Sequence, residues 1–153
     1  MNLNSDEFFD GDRLPDAQAL DFDNLSPSLR WTDLPDGTVE LAIINDDPDA
    51  PGMTWVHWLI YGIPSTLDHI PAGLSKDTEL DGIGGAKQGK NDFGRIGYDG
   101  PRPPKGPVHR YFFKLYALKD ALNLAPGASK DELLAAMKDK ILAEKEIIGL
   151  YSR

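Results

Sequence analysis

Three consecutive stretches decide the fold: Val39-Glu40-Leu41-Ala42-Ile43-Ile44-Asn45, the corner Asp46-Asp47-Pro48-Asp49-Ala50-Pro51-Gly52, and Trp55-Val56-His57-Trp58-Leu59-Ile60-Tyr61-Gly62-Ile63. The two apolar runs have strand length and are rich in β-branched and aromatic residues, while Pro and Gly punctuate the space between them. Upstream, Pro35-Asp36-Gly37 is a turn signal. Residues 33–64 therefore read as turn, strand, loop, strand. In the second strand Trp55, His57, Leu59 and Tyr61 alternate with Val56, Trp58 and Ile60, which sets His57 in a row of otherwise apolar and aromatic side chains.

Further along, Gly82 to Gly106 is so rich in Gly and Pro that a regular element is not expected; a long ordered loop is, and such loops commonly carry function. His109 to Leu118 places aromatic or aliphatic residues at nearly every position, the pattern of a central strand buried on both faces. On that strand His109, Tyr111, Phe113 and Leu115 share one side. Ser129 with Glu132 forms a capping box, and Leu133, Leu134, Met137, Ile141 and Leu142 recur at helical spacing. A second helical turn at Ala143 to Glu146 and a last strand from Ile147 to Tyr151 are expected after it. Strands dominate and helix is confined to the C-terminal part. The fold class expected is mainly β, an antiparallel β-sandwich with one or two C-terminal helices.

The chain has 153 residues, the size of one ordinary domain, so residues 1–153 are expected to share one core. Hydrophobic residues make up 41% and charged residues 27%, which is the composition of a folding chain. A formal charge of -9, from 25 acidic against 16 basic residues, opposes nucleic acid and anionic lipid surfaces as partners. No cysteine is present, so disulfides, thiolate nucleophiles and Cys-ligated metals are excluded. Met1 to Asp12 is polar and acidic, without the basic and apolar regions of a secretion signal, and no apolar run has the length of a membrane span. A cytoplasmic protein without stable membrane insertion is expected.

Two motifs imitate chemistry. Gly84-Gly85-Ala86-Lys87-Gln88-Gly89-Lys90-Asn91 nearly matches a nucleotide phosphate loop, but Asn91 stands where Ser or Thr should hold magnesium, and more Gly and Pro follow instead of a helix. Asp92-Phe93-Gly94 imitates a kinase metal motif in a chain too short for a kinase and lacking its catalytic loop. No serine sits in a nucleophile elbow.

What remains is a set of acids and imidazoles where strands meet Gly/Pro-rich loops. Asp47 and Asp49 are one proline apart, so an extended backbone would put both carboxylates on one side, and Pro48 and Pro51 would stiffen them there. His57 and His109, the latter beside Tyr111, are buried imidazoles in need of partners, and a carboxylate is the partner that also favours their charged form. A lone histidine in an apolar strand is more often a satisfied core residue, and aspartates beside prolines are usually turn formers. Two histidines and a stiff acid pair together outweigh that reading. His69, in a polar connection, is read as structural or solvent-exposed.

Asp46-Asp47-Pro48-Asp49-Ala50-Pro51, Trp55-Val56-His57-Trp58, Asn91-Asp92-Phe93-Gly94 and Gly100-Pro101-Arg102-Pro103-Pro104 leading to His109-Arg110-Tyr111 closely resemble the signature of the phosphatidylethanolamine-binding protein family, in particular its bacterial branch, the Raf kinase inhibitor-like proteins. The likeness extends from Leu25-Ser26-Pro27-Ser28-Leu29-Arg30-Trp31 to the ending Ile148-Gly149-Leu150-Tyr151-Ser152-Arg153. The resemblance implies a β-sandwich with a small cavity near one end that takes up phosphate, acetate or the phosphate of a lipid head group. It implies as ligand-binding residues Asp47, Asp49, His57, His109 and Tyr111, with Pro103 and Pro104 as wall-forming prolines. Arg102 replaces the small residue or cysteine of many relatives and would bring a cation to the mouth. Asp139-Lys140 stands where relatives carry a Gly-His pair. The resemblance also implies a homodimer as one assembly.

Three readings follow. The first is a binding module for a small anionic or phosphorylated ligand, without cofactor, in which the acids orient the imidazoles, raise their pKa and turn N–H groups toward the anion. The second is a hydrolase of phospho- or carboxyl esters using the same groups as acid and base, ranked lower because no activated nucleophile is evident. The third is a metal site, since two Asp and two His form an acceptable ligand set, although no short His spacing supports it.

Overall fold

The computed structural model describes residues 1–153. Its strands are β1 (Asn2–Asn4), β2 (Leu29–Thr32), β3 (Glu40–Asp47), β4 (Trp55–Pro64), β5 (His69–Ile70), β6 (Glu79–Leu80), β7 (Ala86–Gln88), β8 (His109–Leu118) and β9 (Ile141–Tyr151), with one helix, α1 (Lys130–Met137), before β9. They form a small sheet in the order β1-β2-β5 and a large one in the order β6-β7-β4-β3-β8-β9, antiparallel throughout. The mainly β sandwich expected from the pattern is the observed architecture.

The core lies on both faces of the large sheet. Between the sheets, Leu3, Leu29, Trp31 and Ile70 meet Leu41, Ile43, Trp58, Ile60, Phe113 and Leu115. On the opposite face, Ala42, Ile44, Leu59, Tyr61 and Leu118 are covered by Leu133 and Met137 of α1. This is why β3 and β4 are apolar at almost every position instead of alternating.

Period two fails in β4 at two places, between Ile60 and Ile63, where three steps of β4 face two of β3, and at His57. Asp46 pairs with Val56 but its neighbour Asn45 pairs with Trp58, so His57 is an extra residue, a β-bulge. Beyond it Trp58 and Ile60, and not Leu59 and Tyr61, continue toward the small sheet. The single row containing His57, Leu59 and Tyr61 is therefore corrected by the bulge. In β8 the alternation holds: Tyr111, Phe113, Leu115 and Ala117 face the inter-sheet core, while Arg110 on the other side is exposed.

The C-terminal expectation is half corrected. Ser129 and Glu132 do form the capping box of α1. The helix ends at Met137, Asp139 adopts a left-handed φ of 65°, and Ile141 already pairs with Leu118. Ile141 and Leu142 belong to a strand, Ala143 to Glu146 form no second helical turn, and β9 runs from Ile141 to Tyr151 along the whole of β8. Pairing the open edge of β8 satisfies a full row of backbone groups, which outweighs the helical spacing of those two residues. As the outermost strand, β9 carries the exposed charges Glu144, Lys145 and Glu146 that discourage edge-to-edge pairing.

The Gly82 to Gly106 stretch is not wholly irregular. A 3-10 turn at Asp81–Ile83 leads into β7, which pairs with both β4 and β6. Gln88 pins it inward, accepting from the Trp58 indole at 2.8 Å and donating to the carbonyls of Ser75 and Asp77, each at 2.8 Å.

Candidate functional site

Where β3, β4 and β8 end on the same side of the molecule, a cavity of about 350 Å³ is lined by Asp47, Ala50, Pro51, Trp55, His57, Phe93, Arg102, Pro103, Pro104, His109 and Tyr111. Antiparallel pairing makes this convergence: Asp47 ends β3 opposite Trp55, which starts β4, and His109 starts β8. The bulge places His57 against Tyr111, with ring centroids 5.2 Å apart in an edge-to-face arrangement, and Phe93 lies edge-on to His57 at 5.6 Å.

His109 and Asp47 form a buried pair. The His109 Nδ1–H donates to Asp47 Oδ2 at 2.7 Å, and the other oxygen accepts the Asp49 backbone N–H at 2.8 Å. His57 takes a different partner from the carboxylate expected for it. Its Nδ1–H donates to the backbone carbonyl of Asp99 at 2.6 Å. Burial pushes the His57 pKa below its usual value, against the opposing pull of the Asp99 carbonyl and of the carboxylates of Asp47, Asp99 and Asp46. The idea that both imidazoles are driven toward the charged form is therefore corrected at His57, where burial opposes the charged form and the Nδ1–H is committed to a backbone carbonyl. The unpartnered side-chain atoms sealed from solvent are Gln18 Oε1, Asp46 Oδ1 and Trp55 Nε1, so the Nε2 of each cavity histidine, which has no protein partner, meets open space.

Asp49 does not line this cavity. The chain leaves strand geometry after Asp47, and in the turn that follows the Asp49 carboxylate swings to the outer side of β8. There it accepts from Arg110 Nε at 2.9 Å, from Nη2 at 2.9 Å and from the Arg110 backbone N–H at 2.9 Å. Those bonds hold its pKa below the ordinary carboxylate range. The same-side placement of the two acids is thus corrected: period two applies to strands and not to the turn at Pro48. Asp49 acts on the site through its backbone N–H to Asp47. The four side chains of the metal reading do not share one centre.

Tyr111 is buried with its phenol pushed well above the ordinary range, by burial first and by the neighbouring Asp47 carboxylate next. Pro103 and Pro104 form the facing wall. Arg102 also lines the cavity, and its Nε–H donates to Asp21 Oδ1 at 2.9 Å.

The sequence model of the phosphatidylethanolamine-binding protein family matches residues 4–152. The chain belongs to the phosphatidylethanolamine-binding protein family. A UPF0098 protein of Methanothermobacter thermautotrophicus is 46% identical across 100% of this chain and 99% of its own. YbhB of Escherichia coli is 39% identical across 99% of this chain and 100% of its own. Among solved structures, YbcL of Escherichia coli, described as a new member of the mammalian PEBP family, superposes with a TM-score of 0.92 at 33% identity, covering 99% of this chain and 98% of that one. A family homologue from Chlamydia trachomatis superposes with a TM-score of 0.88, also at 33% identity.

In this family member the groups that support the site were harder to read than those that line it. Asp99 is buried, and its carboxylate receives Arg95 Nη2 at 2.7 Å, Arg95 Nε at 2.9 Å, Asn24 Nδ2 at 2.9 Å and Asn91 Nδ2 at 2.7 Å. Burial alone would raise its pKa; the Arg95 guanidinium and the two amides outweigh that and hold the carboxyl below its usual value. The network fixes the carbonyl that orients His57. Asn91 was visible within a motif, but Asn24 lies 75 residues from Asp99 and carries no local signal. Trp55 and Phe93 also line the cavity, although nothing in their local sequence marks them for it.

Proposed function

We propose that the cavity binds a small anionic group, a phosphate or the phosphorylated end of a small molecule or lipid head group, and that the protein acts by binding in a regulatory role. The observation that carries this reading is that two imidazoles from different strands each commit Nδ1 to the protein and leave Nε2 free at one recess, with Tyr111 and Arg102 beside them. A free Nε2 accepts a proton when an anion arrives, and each imidazole then donates to it. The family's name points to a lipid whose head group contains a phosphate, which agrees with this chemistry. A recess of this size accommodates a charged group and leaves the remainder of its carrier outside.

The test is an NMR titration of the full chain with inorganic phosphate. Saturable shifts centred on His57, His109 and Tyr111, abolished in His109→Gln, are expected. Absence of shifts at those residues overturns the reading. Parallel assays for phosphate released from phosphomonoesters separate binding from hydrolysis, and no release is expected.

A further inference from the structure

The eleven residues lining the cavity include one side chain with a permanent positive charge, Arg102. The imidazoles of His57 and His109 become cationic only by taking up a proton, which burial opposes at His57. A doubly charged ligand gains at the mouth a counter-charge that needs no proton uptake.

Arg102 is arranged for that task. Its one bond to protein is side-on, Nε–H to Asp21 Oδ1 at 2.9 Å. The two Nη groups, with four N–H donors, have no protein acceptor. A guanidinium held through Nε keeps the planar fork that matches two oxygens of a terminal phosphate. Asp21 is itself steadied from behind, since Arg153 Nη1 lies 3.5 Å from its other oxygen while Arg153 Nε donates to the carbonyl of Pro103 at 2.6 Å. Arg102, Asp21, Arg153 and the Pro103 wall thus form one connected rim. The chain Asp21 to Arg102 spans 81 residues, so the contact is a product of the fold and not of a local turn.

We infer that Arg102 is a specificity-determining residue that makes the cavity prefer a terminal phosphomonoester over a phosphodiester, with Asp21 as its positioning residue. A monoester presents two charges and three unsubstituted oxygens, so some can enter toward the imidazoles while others meet the fork. A diester has one charge and an esterified oxygen where the fork needs an acceptor. This inference rests on the anion-binding reading above and adds the class of ligand.

The experiment compares O-phosphoethanolamine with glycerophosphoethanolamine, a monoester and a diester of the same amino alcohol, by calorimetric titration of the full chain at slightly alkaline pH. Wild type is expected to prefer the monoester. In Arg102→Ala the monoester affinity falls about tenfold, the scale of one charge-assisted bidentate contact, while the diester is nearly unaffected. Asp21→Ala, which releases an exposed ion pair, costs the monoester about threefold. Arg102→Lys keeps charge without the fork and falls between wild type and Arg102→Ala. Equal losses for both ligands in Arg102→Ala, or no loss, overturn the inference while leaving the binding site standing. Failure of wild type to bind either compound overturns both.

Discussion

His109 and Asp47, 62 residues apart in the chain, meet through a 2.7 Å hydrogen bond with their side chains only 6% and 4% exposed. The pair joins the end of β3 to the start of β8 at the floor of the cavity. Removing the carboxylate leaves the imidazole N–H buried without an acceptor and takes away the anchor of the Asp49 backbone N–H. Asp47→Ala is expected to destabilise the protein by about 3 kcal/mol, the scale for breaking a buried pair from one side. Asp47→Asn keeps one carbonyl oxygen, enough for one of the two N–H groups, and is expected to lose less than Asp47→Ala. Urea denaturation of the two variants beside wild type measures this, and equal losses would show that the acceptor is not what matters.

If the cavity binds an anion as proposed, His57 is expected to make that binding proton-linked. Its pKa is lowered by burial in the empty site, and an anion against Nε2 favours the protonated ring, so binding draws in a proton. Affinity for sulfate, which stays a dianion across this range, is expected to rise as pH falls below about 6.5, the ordinary histidine value. Stability follows the opposite sign. Between about 6.5 and the lower native pKa the unfolded chain binds a proton that the native one refuses, so His57 contributes stability above that window that is lost as pH falls through it. Calorimetry in two buffers of different ionisation enthalpy reports the proton uptake directly. An enthalpy independent of buffer would remove His57 from the binding step.

How far the sequence exposes this site depends on distance along the chain. Strand alternation in β8 correctly groups His109 with Tyr111, because nothing interrupts the period between them. It misleads in β4, where one unpaired residue at His57 moves Trp58 to Tyr61 to the opposite faces until a second irregularity before Ile63 restores the count, and a bulge has no compositional mark in Trp55 to Ile63. The twin-acid reading fails for a similar reason, since strand geometry ends one residue before Asp49 is reached. The helix cap at Ser129 is a local motif and is legible; the switch to strand at Ile141 depends on the free edge of β8, a non-local demand that outweighs local spacing. Asp99 was invisible because its task is performed by a backbone carbonyl, whose role leaves no trace in residue type.

Asp99 should nonetheless be sensitive to substitution. Its side chain is 1% exposed and bonded by three other residues, so Asp99→Asn converts part of an acceptor network into donors facing donors. A loss of about 2 kcal/mol is expected, the scale for burying unsatisfied polar groups. The carboxyl pKa is held below its unfolded value, so the stability it contributes is present above about pH 4 and is lost as pH falls through the lower native value. Denaturation across the acidic range should show a shallower acid loss in Asp99→Asn than in wild type. The His57 ring resonances of the variant should shift as well, because the carbonyl they depend on loses its anchor.

Gly100 tests whether the cavity wall is seated as described. It precedes Pro101-Arg102-Pro103-Pro104, and its N–H donates to Asn24 Oδ1 at 2.7 Å. A methyl group on it would overlap the backbone carbonyl oxygen of Gln18, the same oxygen that accepts from the Tyr98 hydroxyl at 2.9 Å. Neither neighbour is the end of a flexible side chain, so relief requires the backbone on one side to move. Gly100→Ala is expected to cost roughly 3 kcal/mol or more, the upper range for overpacking, and to weaken phosphate binding by displacing Arg102 and the two prolines. Gly82 provides the control: no heavy atom lies within 4 Å of a methyl there, and its φ is not positive. Gly82→Ala should change stability by less than about 1 kcal/mol, because it acts chiefly on the unfolded chain. Were Gly100→Ala as mild as Gly82→Ala by denaturation, the loop could not be packed against Gln18, and the wall that brings Arg102 to the cavity would lose its support.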